Sequence, residues 1–271
     1  MSLFPSLDGF KPTHQTLHNY ANVIGVVPRA HAAAHPQWWH ISLRLTERGL
    51  KTAVMPLPDN QTFWLEMDLR QHHILLQTSY GGTQALSMTA GLTGSEMGER
   101  VLTAVADLGI TGPYAREKFE SDESRTYNPS QAETFFTVLT NVHQIFAEHR
   151  AALTGKMGPI QLWPHGFDLA FEWFGTRTVA HEEQGQVKQM PSQINLGFYP
   201  GGEPYFYSNP WPFAAEQLLD KPLPAGASWH TEGWQGSILP YRELVHDENA
   251  AARLRAYAQA VFDLAAPTLL A

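Results

Sequence analysis

Residues 62–88 read TFWLEMDLRQHHILLQTSYGGTQALSM. Phe63, Leu65, Met67 and Leu69 recur at every second position, the period at which side chains leave one face of a β-strand. A second strand-like run, His73–Thr78, follows, and Gly81-Gly82 is a two-residue hairpin signal leading into a third run, Gln84–Met88. Runs joined by turns this short can only pair antiparallel, because a parallel crossover needs a dozen residues or more. This stretch therefore sets the fold class as α+β with antiparallel sheets.

Working outward, Trp38–Thr46 and Leu50–Met55 read as further strands of the same meander. In HPQWWHISLRL, residues 35–45, alternation assigns Trp39, Ile41, Leu43 and Leu45 to the core and Trp38, His40, Ser42 and Arg44 to the opposite face. Before this block, Leu17, Tyr20, Ala21, Ile24 and Val27 fall at helical spacing, in a helix expected to start after Thr13 and to stop at Pro28. After it, Ser95 is placed to cap a second helix running to about Leu108, with Gly109 as its stop.

Residues 113–128 are polar and unpatterned and form the expected linker, between a lobe of about residues 1–112 and a lobe of about 129–271 in one two-lobed domain. Asn128-Pro129 is a cap followed by a first-turn proline and opens a long helix with Phe135, Leu139, Val142, Ile145 and Phe146 on its buried side. A second strand block follows in Ile160–Trp163, Phe167–Phe174, Gln193–Tyr199 and Tyr205–Tyr207, and a helix from about Glu248 to Ala266 closes the chain. Both halves run helix, Trp-containing strand, further strands, helix; an internal duplication and two unrelated amphipathic helices both stay open.

Composition removes several function classes. The formal charge is −8, from 18 basic and 26 acidic residues, without a Lys/Arg cluster to track a phosphate backbone, so no nucleic-acid partner is expected. The absence of cysteine excludes disulfides, thiolate nucleophiles and Cys-based metal sites. No run of about 18 apolar residues is present, and MSLFPSLDGFKPTHQ lacks the pattern of a signal peptide; no membrane partner and a cytoplasmic location are the expectations. The oligomeric state is not readable.

Chemical motifs are weak. His31 and His35 with His40 would offer three imidazoles, but Pro36 breaks the helix that would present them, and no metal is assigned. His181-Glu182-Glu183 lacks the second histidine of a zincin helix. Thr93–Gly98 misses the nucleophile-elbow spacing, and neither Gly81-Gly82 nor Gly201-Gly202 leads into a helix as a phosphate cradle requires, so no cofactor is identified. Asp168 and Glu172 share a strand face roughly 13 Å apart, farther than a glycosidase pair; Glu66 and Asp68 are about 6.6 Å apart.

What stands out is the composition of the supposed outer strand faces. Trp38, His40, Ser42 and Arg44, then Trp64, Glu66 and Asp68, then Asp168 and Glu172, with Tyr199, combine aromatic walls with placed polar groups. A solvated antiparallel face accounts for them as well. On the ligand-site reading, His40, Asp168 and Glu172 are the candidate catalytic residues and Trp38, Arg44, Trp64, Glu66 and Tyr199 the candidate ligand contacts. Arg44 would clamp an anionic group, His40 would exchange a proton or donate a hydrogen bond, and the carboxylates would orient a small polar molecule. A metal-assisted hydrolase using His and Asp/Glu is an alternative. Another is a non-catalytic interaction module presenting the aromatic, Pro/Gly-rich segment 198–213.

Trp38-Trp39-His40, residues 63–81 (FWLEMDLRQHHILLQTSYG), Gly166-Phe167-Asp168-Leu169-Ala170, Gly197-Phe198-Tyr199-Pro200-Gly201-Gly202, Tyr205-Phe206-Tyr207 and Leu239-Pro240-Tyr241 together resemble a bacterial family of unknown function, the DUF5996 proteins. The resemblance spans nearly the whole chain and implies no assigned activity. Members often carry a His-Glu pair shortly before the Gly-Phe-aromatic-Pro-Gly stretch. Here that region reads Met190-Pro191-Ser192-Gln193-Ile194-Asn195, so chemistry that depends on the pair is absent from this chain.

Overall fold

The structure, a computed structural model, describes residues 2–183 and 185–271. The chain is α+β and divides into two compact units: unit I comprises Leu7–Thr137 and Gln161–Asp168, and unit II comprises Met1–Ser6, Val138–Ile160 and Leu169–Ala271.

Unit I opens with helix α1 (Lys11–His31), which buries Leu17, Tyr20, Ala21, Ile24 and Val27. It begins before Thr13, with Pro12 in its first turn, where a missing N–H costs nothing. It also runs past Pro28. A proline this close to the C-terminus removes a single ladder bond, and the Pro28 carbonyl still accepts from Ala32 N–H at 2.9 Å.

The meander follows in β1 (Arg44–Leu45), β2 (Gly49–Lys51), β3 (Met55–Pro56), β4 (Thr62–Asp68), β5 (His73–Thr78) and β6 (Thr83–Ser87). All pairings are antiparallel, in the order β1-β2-β4-β5-β6, with β3 beside β4. Gly81, at φ +91°, makes the β5–β6 turn that the Gly-Gly pair announces.

The expected strand over Trp38–Thr46 is not formed. Trp38 adopts φ +60°, Trp39–Ile41 is a 3-10 turn, and only Arg44–Leu45 pairs as a strand. The Ser42 hydroxyl donates to the Trp39 carbonyl (2.8 Å) and to Gln161 Oε1 (2.7 Å), folding the chain back on itself. Ser42 and Leu43 are therefore both buried, which no alternating strand with a wet face allows. Leu43 exchanges two 2.8 Å backbone bonds with Leu162 of the short returning strand, Gln161–Trp163.

Helix α2 (Gly94–Ala106) is capped by Thr93, not Ser95. Thr93 Oγ1 accepts from Glu96 N–H (3.1 Å) and Glu96 Oε2 accepts from Thr93 N–H (2.9 Å), a full capping box. Ser95 instead accepts from Ser121 N–H. Residues 113–128 are well tethered: Arg116–Lys118 forms a 3-10 turn, Phe119 is fully buried, and Asn19 Nδ2 donates to the Phe119 carbonyl. Phe119 fits because Gly98 has no side chain; a Cβ there would lie 2.8 Å or less from the ring. Helix α3 (Pro129–Ala152) starts where Asn128-Pro129 places it, with Asn128 Oδ1 accepting from Gln131 N–H at 3.2 Å.

Following β7 (Lys156–Met157) and the returning strand of unit I, β8 (Gln161–Trp163), unit II continues with β9 (Asp168–Glu183), β10 (Gln186–Tyr199), β11 (Tyr205–Trp211), the short helix α4 (Ala215–Leu218), β12 (Ser228–His230), β13 (Gly236–Pro240) and helix α5 (Ala250–Ala265). Its sheet runs β12-β13-β11-β10-β9-β7, antiparallel throughout. β9 and β10 reach well past the apolar runs that mark them in the sequence, pairing residues 178–183 with residues 186–191 as a largely exposed ribbon. The inner face packs Phe4, Phe198, Phe206 and Tyr241 as a ring cluster with centroids 5.0–6.1 Å apart. On α5, Tyr257 is fully buried and shares a 2.8 Å hydrogen bond with Ser237 of β13.

Candidate functional site

In unit I, Asn22, Gly25, Val26 and Arg29 occupy positions i, i+3, i+4 and i+7 of α1 and so form one stripe. The stripe lines a cavity of about 20 Å³ together with Ile41, Lys118, Pro164 and His165. Gly25 admits Pro164, whose ring would lie 3.1 Å from an added Cβ. His165 is placed through its own carbonyl, which accepts from His18 Nε2 at 3.1 Å.

Two permanent cations, Arg29 and Lys118, thus border one small cavity whose lining contains no carboxylate. Neither forms an ion pair among the described residues. In a chain of net charge −8, cations left without acidic partners are the feature to explain.

Trp38 contacts one of the lining residues, Arg29, and His40 contacts Trp38. The Arg29 guanidinium lies 5.3 Å from the centre of the Trp38 ring, in cation–π range, and Trp38 is half exposed. His40 stacks on Trp38 with centroids 5.6 Å apart, and His35 stacks on Trp39 at 4.3 Å. His40 Nδ1 accepts from His35 N–H at 3.2 Å, so the neutral ring carries its proton on Nε2. Burial, then the positive charge of Arg29 and the neighbouring His35, holds the His40 imidazole below its usual value. His40 is accordingly a neutral donor at pH 7, not a second cation.

The other candidate residues of unit I have internal partners. Trp64 Nε1 donates to Gln77 (2.8 Å), and Lys51 Nζ lies 4.1 Å from its ring centre. Glu66 is buried and accepts from Thr46 Oγ1 at 2.7 Å. Asp68, on the same side of β4, is buried and takes both Arg48 Nε and Nη2, so this face is no solvated surface. Arg44 Nη1 donates to Gln161 Oε1 at 2.7 Å, the oxygen that Ser42 also uses. Asp168 is partly buried and folds its carboxylate back over Gly166, where an added Cβ would meet Oδ1 at 2.5 Å.

Glu172 and Tyr199 belong to unit II. Glu172 is buried on β9 opposite Asn195, and Tyr199 is half buried opposite Tyr205, with their rings 5.2 Å apart. Of the candidate set, Trp38 touches a lining residue of the cavity, Arg29, and His40 reaches it only through Trp38. Arg29, Lys118, Asn22 and His165, the residues that define it, are not in that set. The α1 stripe was readable, since Asn22 and Arg29 sit at i and i+7 beside a helical glycine; Lys118 lies in an unpatterned stretch that gives no such signal. Among the described residues, no group of three or more His, Asp or Glu is arranged to hold a metal ion, and no helix is long and apolar enough to cross a membrane.

Comparison with known proteins gives one match. Residues 4–269 match the family described as "Family of unknown function (DUF5996)". No curated protein and no solved structure matches the chain.

Proposed function

The chain belongs to DUF5996, a family of unknown function, and for this member we propose the binding of a small molecule through an anionic group held between Arg29 and Lys118. The observation that carries the reading is the pair of cations, without acidic partners, bordering one cavity of an otherwise acidic chain. A cavity of about 20 Å³ has room for one or two water-sized groups. Only a carboxylate or the tip of a phosphoryl group enters it, and the remainder of the ligand lies outside, toward the exposed Trp38.

Each lining group has a task in this reading. Arg29 supplies paired N–H donors in the geometry an oxyanion accepts, pre-oriented by its contact with the Trp38 ring. Lys118 supplies a point charge, and Asn22 a neutral hydrogen bond. His40 Nε2–H is a donor for a polar group outside the cavity. The buried carboxylates Glu66 and Asp68, engaged by Thr46 and Arg48, take no part.

Titration calorimetry with acetate and with inorganic phosphate tests the reading. Saturable binding is expected, weakened roughly tenfold or more in Arg29→Gln and again in Lys118→Gln, since each charge-assisted hydrogen bond contributes about 1.5–3 kcal/mol. Binding should weaken with added sodium chloride as the exposed charges are screened. Absence of binding by either anion, or undiminished binding in the double variant, overturns the proposal.

A further inference from the structure

The two cations of unit I come to their cavity from separate elements. Arg29 lies in the last turn of α1, and Lys118 ends the 3-10 turn Arg116–Lys118. Neither is paired with an acidic side chain among the described residues. The carboxylates nearest in the chain leave that balance unchanged. Glu117 is exposed beside Lys118 without forming an ion pair with it, and Asp168, whose charge reaches His18, is not among the lining residues. A carboxylate or a phosphate diester brings a single negative charge and leaves one of the two cations uncompensated. A phosphate monoester above about pH 6 brings nearly two.

The hydrogen-bonding capacity points the same way. A guanidinium and an ammonium together offer more N–H donors than the two oxygens of a carboxylate can accept. Neither group has a protein acceptor among the described residues; the contact of Arg29 is with the Trp38 ring. A phosphoryl group spreads its terminal oxygens in three directions, so two can take the Arg29 fork while the third faces Lys118.

We infer, on the footing of the anion reading above, that the ligand held between Arg29 and Lys118 is a phosphate monoester in its dianionic form. Acidification separates the ligand's charge from the protein's. The titratable groups around the cavity are His165 in its lining, His18 of α1, whose Nε2 meets the His165 carbonyl, His40, which reaches Arg29 through Trp38, and Asp168 near His18. As the pH falls, the imidazoles can only gain positive charge and Asp168 can only lose negative charge, and both changes tighten anion binding. A phosphate monoester instead gives up its second charge near pH 6, by about one unit, and is held less tightly.

Titration calorimetry at constant ionic strength compares methyl phosphate with sulfate, dimethyl phosphate and acetate, at about pH 7.5 and about pH 5.5, on either side of the monoester's titration. At the higher pH the two dianions, methyl phosphate and sulfate, should bind roughly tenfold or more tighter than the two monoanions. At the lower pH the affinity of methyl phosphate relative to sulfate should fall roughly threefold or more, because sulfate keeps both charges. Lys118 is exposed, so Lys118→Gln keeps the fold, which circular dichroism checks; it should cut the preference for methyl over dimethyl phosphate to about threefold or less. Acetate or dimethyl phosphate bound as tightly as methyl phosphate, a methyl phosphate to sulfate ratio that does not move with pH, or a preference undiminished in Lys118→Gln would each overturn the dianion inference and leave the anion site standing. Binding of none of the four overturns both.

Discussion

Replacing Gly98 by alanine sets two opposing effects against each other on α2. Within a helix, alanine is preferred to glycine by roughly 0.8–1 kcal/mol, so the change alone should stabilise. But the new methyl group would lie 2.8 Å or less from Phe119 ring atoms, well inside the 3.5–4.0 Å of ordinary carbon contact. Phe119 is 1% exposed and cannot give way without losing its burial. Overpacking costs about 1–3 kcal/mol, and expelling the ring instead costs about 1.5–3 kcal/mol. The net expectation is a loss of about 1–2 kcal/mol, read as a lower urea midpoint and a Tm lower by roughly 2–8 °C. In a Phe119→Ala background the clash is gone, and the same Gly98→Ala change should become neutral or stabilising by up to about 1 kcal/mol. A single Gly98→Ala variant at least as stable as the wild type would refute the seating of residues 113–128 described above.

Two further outcomes are expected. His14, 6% exposed and packed against Phe10 and Phe167, has its pKa lowered to about 4, by burial first and then by His18. Unfolded, it titrates near 6.5; between these values the unfolded chain holds the extra proton, so stability should fall as pH drops from about 6.5 toward 4, by at most about 3 kcal/mol from this group. His14→Phe should flatten that slope in pH-dependent urea melts, and an unchanged slope would contradict the assignment. Asp68 is fully buried and accepts from Arg48 Nε (2.9 Å) and Nη2 (2.6 Å) and from the Arg70 and Gln71 N–H groups (2.9 and 2.8 Å). Asp68→Ala orphans those donors and should cost about 2–3 kcal/mol, with Asp68→Asn costing less; an alanine variant as stable as the wild type would show that water replaces the carboxylate freely.

The parts of the fold that sequence periodicity reached are those in which local pattern and backbone agree. Residues 62–88 alternate and turn at Gly81-Gly82, and α3 has its cap, its proline and its apolar stripe in the expected places. Trp38–Thr46 alternates equally well, yet the left-handed Trp38 and the Ser42 bond back to Trp39 turn it into a coil. That failure carried into the candidate site, because face assignment by alternation holds only for a strand. Glu66 and Asp68 misled for another reason: their partners Thr46 and Arg48 are about twenty residues away, so a satisfied interior carboxylate looked like a wet one. The cavity was beyond reach because Lys118 and His165 join α1 only through tertiary structure.

The Leu43–Leu162 bridge bears on timing. Unit I draws on residues 161–168, whose Gln161 and Leu162 meet Ser42 and Leu43 more than a hundred positions earlier, and whose Phe167 ring lies 5.5 Å from His14 and 5.6 Å from Phe135. On the ribosome, the span from residue 137 to residue 168 takes on the order of 2–6 s to synthesise. During that interval the nascent unit has its own helices and meander but an open seam where Leu43, His14 and Phe135 await their covers. Chaperone capture and aggregation should therefore concentrate in chains stalled between these two points, and release of the Gln161–Asp168 segment should be the step that ends the vulnerability.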